Sequence, residues 1–202
     1  MMNFVKSHGA GNDFVLIEDL DDRLRPSKEF VAILCDRHFG VGADGLIRIT
    51  RAQNADFFMD YYNADGAVAE MCGNGIRCLA KYVFDRGIHT DTRMRVDTRD
   101  GIKNLTLFRS PGGGVDRVRV DMGAPTLERA QIPMSGSGDA QHEKVHGFDA
   151  AAVSMGNPHI VLFVKDLEHA PFETEGPAIE GDTTLFPLRT NVEFVQVLTT
   201  TR

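Results

Sequence analysis

Cys72 is the residue whose neighbours best suit it for chemistry. It stands in Tyr62-Asn63-Ala64-Asp65-Gly66-Ala67-Val68-Ala69-Glu70-Met71-Cys72-Gly73-Asn74-Gly75-Ile76-Arg77-Cys78. Asn63 to Gly66 is turn chemistry, because Asn, Asp and Gly tolerate positive φ. From Ile76 the apolar residues Leu79, Ala80 and Val83 recur as on one helical face, and Gly87 stops the helix. Cys72 is therefore expected at a helix mouth, with Gly73 and Gly75 keeping side chains out of the way. A helix N-terminus presents free N–H groups and a partial positive charge. A carboxylate can sit on those donors, and a thiol there loses its proton more easily. Cys72 can then act as base or nucleophile against a bound acid. The plainer alternative is an inert core cysteine, which the Gly-Asn-Gly flank argues against.

Other chemical patterns are weaker. His142-Glu143-Lys144-Val145-His146 has the zinc-protease spacing, but that chemistry needs both histidines one turn apart on a helix. Its flanks are a Gly-Ser loop and Gly147, so surface histidines are expected and no metal. Gly40-Val41-Gly42-Ala43-Asp44-Gly45 matches a dinucleotide loop, but that loop needs a strand before it and a helix after it; the order here is the reverse. Cys35 falls on an apolar helix and reads as core. Cys78 lies about 240° round the helix from Cys72 and reads as packing. His159, beside Asn157 and a proline turn, reads as a ligand contact or a turn residue. No pair of carboxylates stands at acid/base spacing.

The elements that must position Cys72 fit a soluble globular chain. Its 202 residues are 42% hydrophobic and 25% charged, with a net charge of −7. That balance, with no basic run, excludes nucleic acid as an expected partner. No signal peptide or spanning segment is expected. Three cysteines without a framework spacing fit a reducing cytoplasm.

Strands are expected over 3–7 and 13–19 around His8-Gly9-Ala10-Gly11-Asn12. A helix starts at Pro26-Ser27 with Phe30, Ile33 and Leu34 on one face. Strands follow over 46–50 and 55–62, then the Cys72 helix. Beyond Gly87 come strands over 94–97, 102–108 and 118–122, with Pro111-Gly112-Gly113-Gly114 as the domain boundary. Strands over 150–155, 160–164 and 191–198 and a helical stretch over 172–179 complete the chain. Gly11-Asn12 before Phe14-Val15-Leu16-Ile17 is echoed by Gly156-Asn157 before Ile160-Val161-Leu162-Phe163, as in a tandem pair of similar units. Cys72 follows Asn12 by 60 residues; the same offset from Asn157 leads to position 217, past Arg202.

Several motifs together resemble diaminopimelate epimerase: His8-Gly9-Ala10-Gly11-Asn12-Asp13-Phe14, Asp36 to Gly45, Tyr62 to Gly66, Met71 to Cys78, Met155-Gly156-Asn157-Pro158-His159 and Thr190-Asn191-Val192-Glu193-Phe194. They occur in that family's order over nearly the whole chain. The resemblance implies an α/β (α+β) fold of two pseudo-symmetric halves, 1–112 and 113–202, each a mixed, barrel-like curled sheet around a central helix. It implies a pyridoxal-independent isomerase, with no cofactor, that interconverts LL- and meso-2,6-diaminopimelate. In the family two cysteines face the α-carbon from opposite sides, one taking the proton and one donating. Cys72 matches the first. Gly73 and Asn74 match the carboxylate cradle, and Asn12, Asn63, Asn157 and Asn191 the asparagines lining the pocket; His159 lies in a motif of the same site. A homodimer is also implied.

One departure is large. The family's second cysteine, between Glu-Arg-Gly and Gly-Thr-Gly, has no counterpart here. The expectation is an incomplete second half, lacking the second acid/base residue, and a chain inactive by itself; epimerisation by these 202 residues near the rate of a complete enzyme would refute it. The rival readings are a racemase of another amino acid on the same fold, a hydrolase or acyl transferase with Cys72 as nucleophile and His8 or His159 as base, and a non-catalytic amino-acid binder. Exchange of the substrate α-proton separates the epimerase from the other two classes.

Overall fold

The structure, a computed structural model, describes residues 2–199. The chain divides into two compact units, Met1–Met122 and Gly123–Arg202. In the first, seven strands lie side by side in sequence order: β1 (Val5–Gly9), β2 (Asn12–Glu18), β3 (Gly45–Thr50), β4 (Phe57–Asn63), β5 (Arg93–Thr98), β6 (Gly101–Arg109) and β7 (Val115–Asp121). The β2–β3 and β4–β5 pairs are parallel and the rest antiparallel. Each parallel pair needs a crossover: α1 (Lys28–Cys35) supplies the first and α2 (Gly73–Asp85) the second.

Strand alternation explains why two helices are needed. Phe14 and Leu16 of β2 point to one core with Ile47, Ile49, Met59, Tyr61 and the α2 residues Ile76, Leu79, Ala80 and Val83. Val15 and Ile17 point to the other face, with Val31 and Cys35 of α1. The curled sheet so wraps α2, which touches β1, β2, β3, β6 and β7, while α1 covers the outside. This is the mixed, curled sheet around a central helix expected from the resemblance.

Two expectations change. On α1 the buried residues are Val31 and Cys35, and Ile33 is 66% exposed; the helix packs along its i, i+4 line and turns Ile33 to solvent. Pro111–Gly114 is the turn of the β6–β7 hairpin, where Ser110 N–H donates to the Gly114 carbonyl at 2.8 Å. The chain therefore passes between units at Met122–Gly123, not at 112–113.

The second unit has a four-stranded sheet in the order β11 (Asn191–Gln196), β10 (Pro158–Val164), β9 (Phe148–Ser154), β8 (Glu143–Val145). The β10–β11 pair is parallel, joined through α3 (Phe172–Glu180); the others are antiparallel. Its core holds Ile132, Ala152, Ile160, Leu162, Ile179 and Phe186. An antiparallel hairpin followed by a parallel crossover is also the plan of β1-β2-α1-β3, so the echo in the sequence marks a repeated supersecondary unit.

The decoy motifs take ordinary structural roles. The 142–146 stretch forms β8 and the turn after it, with His146 at φ 49°. Glu143 is ion-paired with Arg129, and His146 Nδ1 lies 2.9 Å from Glu175. Gly40 is needed for packing, since a Cβ there would lie 2.0 Å from the Ile33 carbonyl oxygen. Among the described residues no helix is long and apolar enough to cross a membrane.

Candidate active site

In the first unit the sequence Asn63 to Gly66 closes a tight turn, with Gly66 N–H donating to the Asn63 carbonyl at 2.9 Å and Asn63 N–H to Ala67 O at 2.9 Å. The chain then runs back along β4, Ala69 N–H donating to Tyr61 O at 3.1 Å, and delivers Cys72 to the start of α2. Cys72 is the N-cap residue itself, extended at φ −143°, ψ 114°. Its Sγ accepts from Gly75 N–H at 3.5 Å and its carbonyl from Ile76 N–H at 2.9 Å. A sulfur thus takes the place that Ser, Thr, Asp or Asn usually fills, facing the donor end of the helix.

Gly75 is required there. A Cβ on it would fall 2.6 Å from Ile47 Cδ1 and 3.5 Å from Cys72 Cβ. Gly73 is different: a Cβ would meet only Met122, at 4.0 Å, so its lack of a side chain leaves open space over the first turn. The Asn74 side chain accepts from Arg77, one turn on. The β1–β2 hairpin reaches the same helix end, because a Cβ on Gly9 would lie 3.1 Å from the Asn74 carbonyl oxygen. Its two-residue turn, Ala10 at φ 54° and Gly11 at φ 90°, has the doubly positive form that matches strand twist. Asn12 follows, and its Oδ1 is buried without a hydrogen-bond partner among the described residues. An orphaned acceptor of this kind costs free energy until a donor arrives. The structure thus brings Asn12, Cys72, Gly73 and Asn74 to one end of α2, while Asn63 lies exposed at the end of β4.

The other thiols are unlike Cys72. Cys35 and Cys78 are each 4% exposed, and burial pushes both thiols up from their usual value. Burial also pushes the Tyr61 phenol up, the charge of Cys72 adding to it, so Tyr61 stays a neutral wall of the site. Among the described residues no histidine nitrogen bonds Cys72 Sγ, as a cysteine hydrolase would need.

In the second unit three more candidates meet on one sheet face. His159 and Asn191 are direct partners across the parallel β10–β11 pair. Ile160 and Leu162 point into the core, which turns His159 to the opposite face with Asn191 and Glu193. His159 Nδ1 lies 2.7 Å from Glu193 Oε1, and Nε2 lies 3.1 Å from Asn157 Oδ1. Asn191 Nδ2 donates to the Pro158 carbonyl at 2.9 Å. Gly156, at φ 101°, makes the turn that sets Asn157 before β10. Glu193 was not singled out from sequence, although its i+2 spacing from Asn191 on a strand places both on one face.

A mixed sheet curled round a central helix also occurs in solved structures that superpose on this chain. A probable proline racemase from Agrobacterium radiobacter superposes with a TM-score of 0.68 at 11% identity, covering 96% of this chain and 66% of that one. A hydroxyproline epimerase from Agrobacterium vitis gives 0.64 at 12% identity, over 89% and 58%. At such identities the likeness concerns the fold.

The sequence comparisons go further. The family model described as diaminopimelate epimerase matches residues 4–128. The diaminopimelate epimerases of Pelotomaculum thermopropionicum and Moorella thermoacetica are each 48% identical, over 98% of this chain and 72% of theirs. The chain belongs to the diaminopimelate epimerase family.

Proposed function

We propose that this chain acts in the interconversion of LL- and meso-2,6-diaminopimelate as an isomerase, with Cys72 taking the α-proton. The observation that carries the reading is the thiol at the N-cap of α2, on the Gly75 N–H, in a chain of this family. A substrate α-carboxylate would rest on the free N–H groups of Gly73 and Asn74, where the helix field favours negative charge. Sγ removes the proton from the α-carbon, and the electron pair left behind is delocalised into that carboxylate, whose growing charge the same N–H groups stabilise. Asn12 Oδ1, buried with no hydrogen-bond partner among the described residues, suits an ammonium N–H. Asn63, Asn157 and Asn191 offer neutral amides, which orient the ends of a zwitterion without competing for its proton, and His159 belongs to the same group. Inversion also needs an acid that returns a proton to the opposite face, the role of the family's second cysteine.

The remaining partners follow: a small amino acid as substrate, a homodimer on the family's pattern, and a reducing cytoplasm, which fits three free thiols. The test is incubation of the chain with LL-diaminopimelate in deuterated water. Binding together with deuterium entry at the α-carbon, abolished in Cys72→Ala, is expected. No binding, or exchange unaffected by that substitution, would refute the reading.

A further inference from the structure

We propose that Glu193 is a positioning residue of the site: it fixes which nitrogen of His159 carries the proton and, through the ring, which way the amide of Asn157 faces. The inference rests on the epimerase reading for its meaning, but not for its geometry. Glu193 Oε1 is 2.7 Å from His159 Nδ1, while Oε2 is buried with no hydrogen-bond partner among the described residues. A carboxylate oxygen can only accept, so a neutral ring held at 2.7 Å by Oε1 carries its proton on Nδ1. The tautomer of an imidazole is set by the bond its other nitrogen makes. Nε2 of the neutral ring then carries a lone pair.

Asn157 is the group facing that lone pair, at 3.1 Å. Its side-chain oxygen and nitrogen exchange places by a half-turn about the last torsion. A lone pair on Nε2 selects the orientation in which Nδ2 donates to the ring, leaving one N–H and the amide oxygen directed away from it. With the proton on Nε2 instead, the ring donates to Oδ1 and the amide presents the reverse face. The chain Glu193–His159–Asn157 therefore decides whether the site meets a substrate carboxylate with a fixed N–H donor. On β9 the residue opposite His159 is Val153, which has no ionisable group. On β11 the group opposite is Glu193 itself.

The experiment is nitrogen NMR of the chain labelled with 15N-histidine, at a pH where the ring is neutral, joined to calorimetric binding of LL-diaminopimelate. The unmodified chain is expected to show protonated Nδ1 and bare Nε2 at His159. Glu193→Ala is expected to move the proton to Nε2, and Glu193→Gln, whose amide oxygen still accepts, to retain the Nδ1 form. Binding should weaken about tenfold in Glu193→Ala, the loss of one aligned hydrogen bond, with no further loss when the same change is made in His159→Ala. A tautomer unaltered by Glu193→Ala overturns the proposal, as do additive losses in the double variant. Failure of the unmodified chain to bind at all overturns the epimerase reading, and with it the substrate role; binding that Glu193→Ala leaves unchanged overturns only that role.

Discussion

Gly75→Ala probes how the sheet sets the helix mouth. The added Cβ lands 2.6 Å from Ile47 Cδ1, about 0.9–1.4 Å inside ordinary carbon contact of about 3.5–4.0 Å. Ile47 is fully buried, so its terminal methyl must leave its rotamer or the first turn of α2 must lift. Overpacking of this kind costs about 1–3 kcal/mol, while alanine recovers about 1 kcal/mol of helix propensity over glycine. The net loss is about 0–2 kcal/mol in urea unfolding. The decisive comparison is Gly75→Ala with Ile47→Val, which removes Cδ1. Ile47→Val alone costs about 0.5–1.5 kcal/mol, but in the double variant the clash is gone, so the losses should fall short of their sum by about 1–2 kcal/mol. Strict additivity would refute the contact. A lifted first turn also draws Gly75 N–H away from Sγ, so the alkylation rate of Cys72 should change in Gly75→Ala and revert in the double variant.

Iodoacetamide should label Cys72 first, with Cys35 and Cys78, each 4% exposed, protected until unfolding; mass spectrometry of the labelled peptides reads the order. Asp60→Ala should cost about 3–5 kcal/mol in urea unfolding, the usual loss when a buried pair loses one partner, because Asp60 is 2% exposed and bridges Arg48 and Arg99. Asp13 is held well below the usual carboxylate range by Arg37, with Lys6 adding to it against the opposing effect of burial. A depressed carboxyl contributes stability that is present above its unfolded value of about 3.9 and is lost as pH falls toward the folded one. Asp13→Asn should therefore lower stability at neutral pH and flatten the loss below about pH 4 in thermal melts.

What the sequence disclosed depended on periodicity and on short-range chemistry. The Cys72 helix was legible because Ile76, Leu79, Ala80 and Val83 are all buried on one side, over enough turns to fix a phase. α1 has eight residues, and with Phe30, Val31, Ile33, Leu34 and Cys35 all apolar its buried face is undetermined by pattern; the sheet selects it. β8 was missed because it is three residues long with one buried side chain, Val145. Pro111-Gly112-Gly113-Gly114 has linker composition, yet Val115 N–H is tied to Asp85 of α2 at 2.9 Å, a long-range bond that no local composition reveals. Glu193 is legible only with β10 in view, since its meaning lies in the 2.7 Å contact with His159, 34 residues away.

The repeated supersecondary unit explains why asparagine recurs after the turn in both units. In both units a glycine of positive φ, Gly11 at 90° and Gly156 at 101°, reverses the chain and an asparagine follows where the new strand begins. That position is anchored by strand pairing on one side, so a short side chain there is held in place. An amide exploits it better than a charge would, because the same group can give an N–H to a carboxylate or take one from an ammonium. The two asparagines differ in their neighbours. Asn12 keeps its oxygen buried and unpartnered, waiting on a donor, whereas Asn157 meets an imidazole at 3.1 Å that governs its orientation. One scaffold thus places a buried acceptor amide at the start of a strand in the first unit and an imidazole-bonded amide at the corresponding turn of the second.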